Sequence, residues 1–273
     1  MADGVPCAKC DKQGQWYRRT DAKYLQHPCG AIFSPLSGTI FHATKLPLNL
    51  WFYAMLHFAN SHEGVNLGFL ERQLGVSYLA AFRMAQMIRL QMAAIEQTHI
   101  LAFGSEPVQV RLEPVGHIRG GPTQQKNVNV LFAADSRRIA TFVIEDPRRH
   151  VLLAALKIRP SQSQVFTTCF RTARVFSAYG LRRSVATFQP TYFLDHPEAA
   201  DGIHGFMSYF LCPFQNNHRH ASRRHLWLYL KEFQFRYNRR HRSGETYRDL
   251  ISQFPPIDHG LKSKRARKPK AKG

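Results

Sequence analysis

Apolar and polar positions divide the 273-residue chain into stretches of different period. Residues 1–42 hold no sustained period and are rich in turn residues and aromatics. Leu46 to Ala59 is apolar apart from interruptions at Asn49 and His57, and reads as one buried helix. From Gly64 the run GVNLGFLERQLGVSYLAAFRMAQMIRLQM puts Val65, Leu67, Leu70 and Leu74 at helical spacing. Gly75 then suits a tight turn, and Ser77 an N-cap for a second helix carrying Leu79, Phe82, Met84 and Ile88. Two helices joined this way form a helix-turn-helix pattern, with an ordinary αα-hairpin as the alternative. In the first case the second helix offers Tyr78, Arg83, Gln86 and Arg89 to a DNA groove.

The period then changes. Val108–Leu112, Asn127–Ala134 and Arg138–Glu145 are β-rich, a helix is expected around Arg148–Lys157, and Gln164–Thr168 reads as another strand. That order suits an α/β domain with a mixed sheet and helices on both faces. Residues 222–242, SRRHLWLYLKEFQFRYNRRHR, place Leu226, Leu230, Phe233 and Tyr237 at helical spacing for packing on the sheet. The same stretch carries Arg223, Arg224, Lys231, Arg236, Arg239, Arg240 and Arg242 against one acid, Glu232. Solvated helix faces usually mix charge signs, so these arginines are expected to meet phosphates.

Composition sharpens the choice of partner. Lys and Arg number 38 against 18 Asp and Glu, a formal charge of +20, which points to a polyanion and most simply to nucleic acid. An acidic membrane surface is the weaker option. Seven basic residues and no acid follow Leu261, in KSKRARKPKAKG, a tail suited to non-specific polyanion contact. No run reaches the roughly 18–20 apolar residues of a membrane span, and MADGVPCAKC has no secretory pattern. Five cysteines do not make a disulfide framework at this length, so a soluble protein of a reducing compartment is expected.

Three of those cysteines are candidate metal ligands. Cys7 and Cys10 form a C-x-x-C pair, and His27 and Cys29 follow at the spacing of a second, irregular knuckle, with Gln26 where a regular ribbon has cysteine. Zinc takes four tetrahedral N/S ligands, and Cys7, Cys10, His27 and Cys29 can supply them. A segment this small gains its folding energy from such an ion. A ribbon that no longer binds metal is the alternative.

Taken together, residues 5–245 resemble the ISXO-like insertion-sequence transposases, relatives of the Merlin elements. The resemblance is carried by FSPLSGTIFHATKLPLNLW after the ribbon, by EGVNLGFLERQLGVSYLAAFRMAQMIR, and by HLWLYLKEFQFRYNRR near the end. It implies a multidomain α+β or α/β chain. Residues 1–42 would be a zinc-ribbon-like segment, 43–98 a helix-turn-helix domain, 107–245 a ribonuclease-H-like mixed sheet with flanking helices, and 256–273 a basic tail.

The family's chemistry uses three acids that hold paired Mg²⁺ for in-line attack on phosphodiesters. On the segments VQVRLEPVGH, VFTTCFR and DGIHGFM the acid positions fall on Arg111, Thr168 and His204, and a shifted register puts Arg174 in second place. None is a carboxylate, and Mg²⁺ wants hard oxygen ligands. Glu113, on the strand face of Arg111, and Asp201, on the helical face of His204, are the remnant acids. The resemblance therefore implies a double-stranded-DNA-binding protein, defective in strand transfer, paired as a homodimer at element ends and located in the cytoplasm at the nucleoid. Two alternatives stay open: an active transposase with a displaced metal site, and a basic scaffold or RNA-binding protein of the same descent.

Overall fold

Strict alternation in one strand organises the main body of the protein. In the computed structural model, Val128, Val130, Phe132 and Ala134 face one hydrophobic core, while Leu131 and Ala133 face another. A strand covered on both faces belongs inside a sheet with helices on either side. The structure describes residues 6–7, 9–12, 16–18, 24–98, 108–119, 125–135, 138–145, 151, 165–178, 187–188, 202–218, 221–242 and 244–257. The chain divides into two compact units, the described residues up to Leu48 with those from Phe254 onward, and residues 49–253.

The first unit holds a small antiparallel sheet of β1 (Tyr17–Arg18), β2 (Leu25–Gln26) and β3 (Ile32–Phe33), in that order. The returning chain joins it through Ile257, whose amide donates to the Gly38 carbonyl, and through Phe254, whose ring lies 5.4 Å from that of Phe41.

The second unit begins with α1 (Leu48–Asn60), α2 (Leu67–Leu74) and α3 (Tyr78–Thr98). Asn66 caps α2 by accepting from the amides of Gly68 and Phe69, and Gly75 ends it in the left-handed region at φ 61°. The Ala80 amide donates to Ser77 Oγ, so the glycine turn and the expected N-cap are both present. The sheet follows, from β4 (Val108–Arg119), β5 (Gln125–Ala134), β6 (Ile139–Ile144), β7 (Val165–Thr167) and β8 (Thr187–Phe188). Its order is β6-β5-β4-β7-β8, antiparallel through the first three and parallel from β4 to β7 and β8. The expected helix over 148–157 lies outside the described residues apart from Val151.

One face of the sheet is covered by α5 (Ile203–Asn217) and α6 (Leu226–Tyr237), through Phe206, Phe210, Phe214, Leu230 and Phe233. The other carries α4 (Phe170–Ala178), whose Phe176 packs with Val108, Val110 and Leu112. The long terminal helix expected over 222–242 is divided: a 3-10 turn at Arg223–His225 precedes α6, and α7 (Glu245–Ser252) follows Gly244. No helix among the described residues is long and apolar enough to cross a membrane.

α6 also closes the edge of the sheet. Among the described residues β6 is an edge strand, with one row of backbone groups unpaired by a neighbour strand. Gln234 Oε1 accepts from the Thr141 amide at 3.0 Å, and Asn238 accepts from the Ile139 amide and donates to the Ile139 carbonyl. Residues four apart on a helix rise about 6 Å, close to the roughly 6.8 Å spanned by residues two apart on a strand. Gln234 and Asn238 therefore reach Thr141 and Ile139 in step.

Candidate metal centre and nucleic-acid interface

In the first unit, two tight turns face each other. The amides of Cys10 and Asp11 donate to the Cys7 carbonyl, and Asp11 takes the left-handed conformation at φ 52°. In the second turn the Gly30 amide donates to His27, with Gly30 at φ 81°. Cys7, Cys10, His27 and Cys29 are thereby gathered so that their ligand atoms all lie within 4.8 Å of one another. The cysteines are free thiols. Cys7 Sγ and Cys29 Sγ stand 3.6 Å apart, far beyond a disulfide bond. With zinc–sulfur bonds of about 2.3 Å, the edge of a tetrahedral site is about 3.8 Å. His27 Nδ1 lies 3.1 Å from Cys29 Sγ and 3.7 Å from Cys10 Sγ, so the longer imidazole reaches the cluster from one position beyond Gln26. Three thiols and one imidazole make a donor set compatible with structural zinc, and the amide of Lys9 helps hold the Cys7 thiol below its ordinary pKa.

The positions expected to correspond to the acids behave differently. Arg111 and Glu113 lie on β4 and pair with each other, Nε to Oε1 at 2.8 Å. Thr168, just past β7, accepts from Gln109 Nε2, and Cys169 Sγ approaches Glu113 at 3.9 Å. The parallel pairing of β4 with β7 brings these residues to one part of the sheet. His204 is exposed on the first turn of α5, and nothing ties it to that group among the described residues. Asp201 lies outside the described residues. No three acid, histidine or cysteine side chains converge there among the described residues, and Glu113 is already bonded to a cation. The described residues there do not fit a magnesium pair.

Three expected DNA contacts, Arg89, Arg239 and Arg236, are inside the protein. Arg89 is fully buried, bonded through Nε to Glu232 Oε2 at 2.6 Å, with its guanidinium 4.1 Å from the Tyr229 ring centre. Arg239 is likewise buried, bonded to Glu96 at 2.6 Å and to Asp249 at 2.6 Å. Neither can reach a phosphate, because a buried guanidinium is held by the acid that offsets its desolvation. Gln86 is half-buried, with Nε2 turned inward. Arg236 joins the same interior, donating to Glu232 and to the Phe58 carbonyl. Burial alone would raise the Glu232 pKa, yet Arg89 and Arg236 hold it at about 2. Burial pushes neighbouring His218 down to about 4.

The remaining expected contacts are at the surface. Tyr78 and Arg83 are exposed on the opening turns of α3, and Arg83 has no hydrogen bond or ion pair among the described residues. Arg223 and Arg224 are exposed on the 3-10 turn, with Arg223 reaching Glu145 only at 3.7 Å. Phe82 of α3 meets His225 of that turn with ring centres 6.1 Å apart, so the two basic segments are neighbours. Arg240 is exposed further along, its guanidinium stacked on Tyr237 at 3.9 Å. Leu79, expected in the core, is 56% exposed beside Tyr78. At 100° per residue it lies opposite Ile88, on the face away from the core, a signal the sequence contained.

No family model matches the chain, and no curated protein matches its sequence. A solved structure, a pre-cleavage Mos1 transpososome, aligns over 79% of this chain and 82% of its own, at 13% identity and a TM-score of 0.25. A score of that size does not establish a shared fold.

Proposed function

We propose that the chain is a duplex-DNA-binding protein of ISXO-like transposase descent that has lost strand-transfer chemistry. The observation that carries this reading is the Phe82–His225 contact, which brings the start of α3, with exposed Tyr78 and Arg83, near the turn that carries exposed Arg223 and Arg224. Cationic side chains there meet phosphates while a helix start meets base edges. The mixed sheet covered on both faces supports the ribonuclease-H-like assignment of its core, and the Arg111–Glu113 pair supports loss of the metal site. In the first unit, Cys7, Cys10, His27 and Cys29 hold a structural zinc ion.

Equilibrium binding to duplex DNA over a salt series tests the reading. Affinity is expected to fall as salt rises, and Arg83→Ala and Arg224→Ala each reduce the slope of log K against log salt by about one. Unchanged slopes in both variants would place the DNA elsewhere. Equal affinity for structured RNA would favour the RNA-binding alternative.

A further inference from the structure

We propose that Leu79 reads thymine, by packing on its C5-methyl group in the major groove; this rests on the reading of α3 as the DNA-facing helix. Leu79 and Tyr78 are 56% and 55% exposed, both in the first turn of the helix. That turn is well fixed, since Ser77 Oγ accepts from the Ala80 amide and the Ala81 amide donates to the Ser77 carbonyl. Leu79 lies on the face of the helix opposite the buried Met84, Ile88 and Met92. Four residues on, Arg83 is exposed on the same helical face.

An exposed apolar side chain one turn from an exposed cation suits a partner that offers both charge and an apolar contact. Duplex DNA does so at one place: the thymine methyl is the apolar group displayed in the major groove, between the phosphate rows. The minor groove shows no methyl, and the deep, narrow major groove of RNA excludes side chains. Leu79 and Arg83 thus divide the work, one contacting a methyl group and the other a polar base edge or phosphate.

The test uses the full chain and two probes: a duplex of alternating adenine and thymine, and the same duplex with deoxyuridine in place of thymine. Pairing and charge are retained and only the methyl groups are lost. The parent protein is expected to bind the thymine duplex about three- to tenfold more tightly. Leu79→Ala, at an exposed helical site where alanine is well tolerated, is expected to bind both duplexes equally and to keep the parental salt slope. Equal binding of the two duplexes by the parent overturns the assignment while leaving DNA binding intact, as does a preference that survives Leu79→Ala. If Leu79 instead seats a second copy of the chain, Leu79→Ala lowers the mass in solution and leaves the preference untouched, which also overturns it. Failure to bind either duplex at low salt refutes the DNA-binding reading itself.

Discussion

Arg89 of α3 and Glu232 of α6 meet at 2.6 Å with both side chains fully buried, and this pair fastens the middle of the helix whose start is proposed to face DNA. Glu232 also accepts from Arg236 at 2.6 Å, so one carboxylate offsets two interior cations. Glu232→Ala leaves both guanidiniums uncompensated and is expected to cost about 3–5 kcal/mol in denaturant unfolding. Arg89→Met, which leaves the Glu232–Arg236 bond in place, is expected to cost less. Its salt slope for duplex binding equals the parent's; a reduced slope would show that Arg89 reaches phosphate.

Acid is expected to weaken the fold before neutral pH is far behind. His218 titrates near 4 in the folded protein, against an ordinary 6.5, because it is buried beside Arg89 and Arg236, with Glu232 partly opposing. Between those values the unfolded chain binds a proton that the folded chain refuses, so stability falls as pH drops from about 6.5 to about 4. Glu232, held at about 2 against 4.5, adds stability above 4.5 that is lost as pH falls through about 2. Urea unfolding at pH 7 and pH 4 should differ by about 3 kcal/mol from His218 alone. The difference shrinks in His218→Gln, and an unchanged difference would contradict the assignment.

Gly64 is expected to tolerate no side chain. Its φ of 83° favours glycine, and an added Cβ would lie 2.6 Å from His218 Nε2 and 3.3 Å from the Phe233 ring. Gly64→Ala combines backbone strain with overpacking and should cost about 2–4 kcal/mol, read from the unfolding midpoint. A loss near zero would mean that His218 moves aside freely.

Zinc content gives a separate check on the first unit. The purified protein is expected to carry one zinc per chain, released by a strong chelator with loss of ordered structure around residues 24–48. Cys7→Ala should abolish binding, while Gln26→Cys combined with His27→Ala should retain it by restoring the regular knuckle. Full zinc content in Cys7→Ala would contradict the ligand set.

Much of this arrangement was legible along the chain. The gathering of Cys7, Cys10, His27 and Cys29, the Gly75 turn, the Ser77 cap and the opening strands follow from local spacing, and local spacing is what a sequence displays directly. The arginines were harder. Counted along residues 222–242, Arg236 and Arg239 face a single acid, yet Arg239 is paired with Glu96, 143 positions away, and with Asp249. Distant partners of that kind are set by how α3 and α7 dock on α6, which no local pattern encodes. Leu79 differs for another reason: hydrophobicity alone groups it with Met84 and Ile88, whereas its helical angle sets it opposite Ile88. The division of the terminal helix at His225 has no clear local signal.

Binding and cleavage measured together on the same duplex, with Mg²⁺ and with EDTA, test the central claim most directly. The account predicts salt-sensitive binding in both conditions and intact strands in each, because Glu113 is paired with Arg111 and no group of three metal ligands forms there among the described residues. Strand nicking or joining that requires Mg²⁺ and disappears in Glu113→Ala would contradict it.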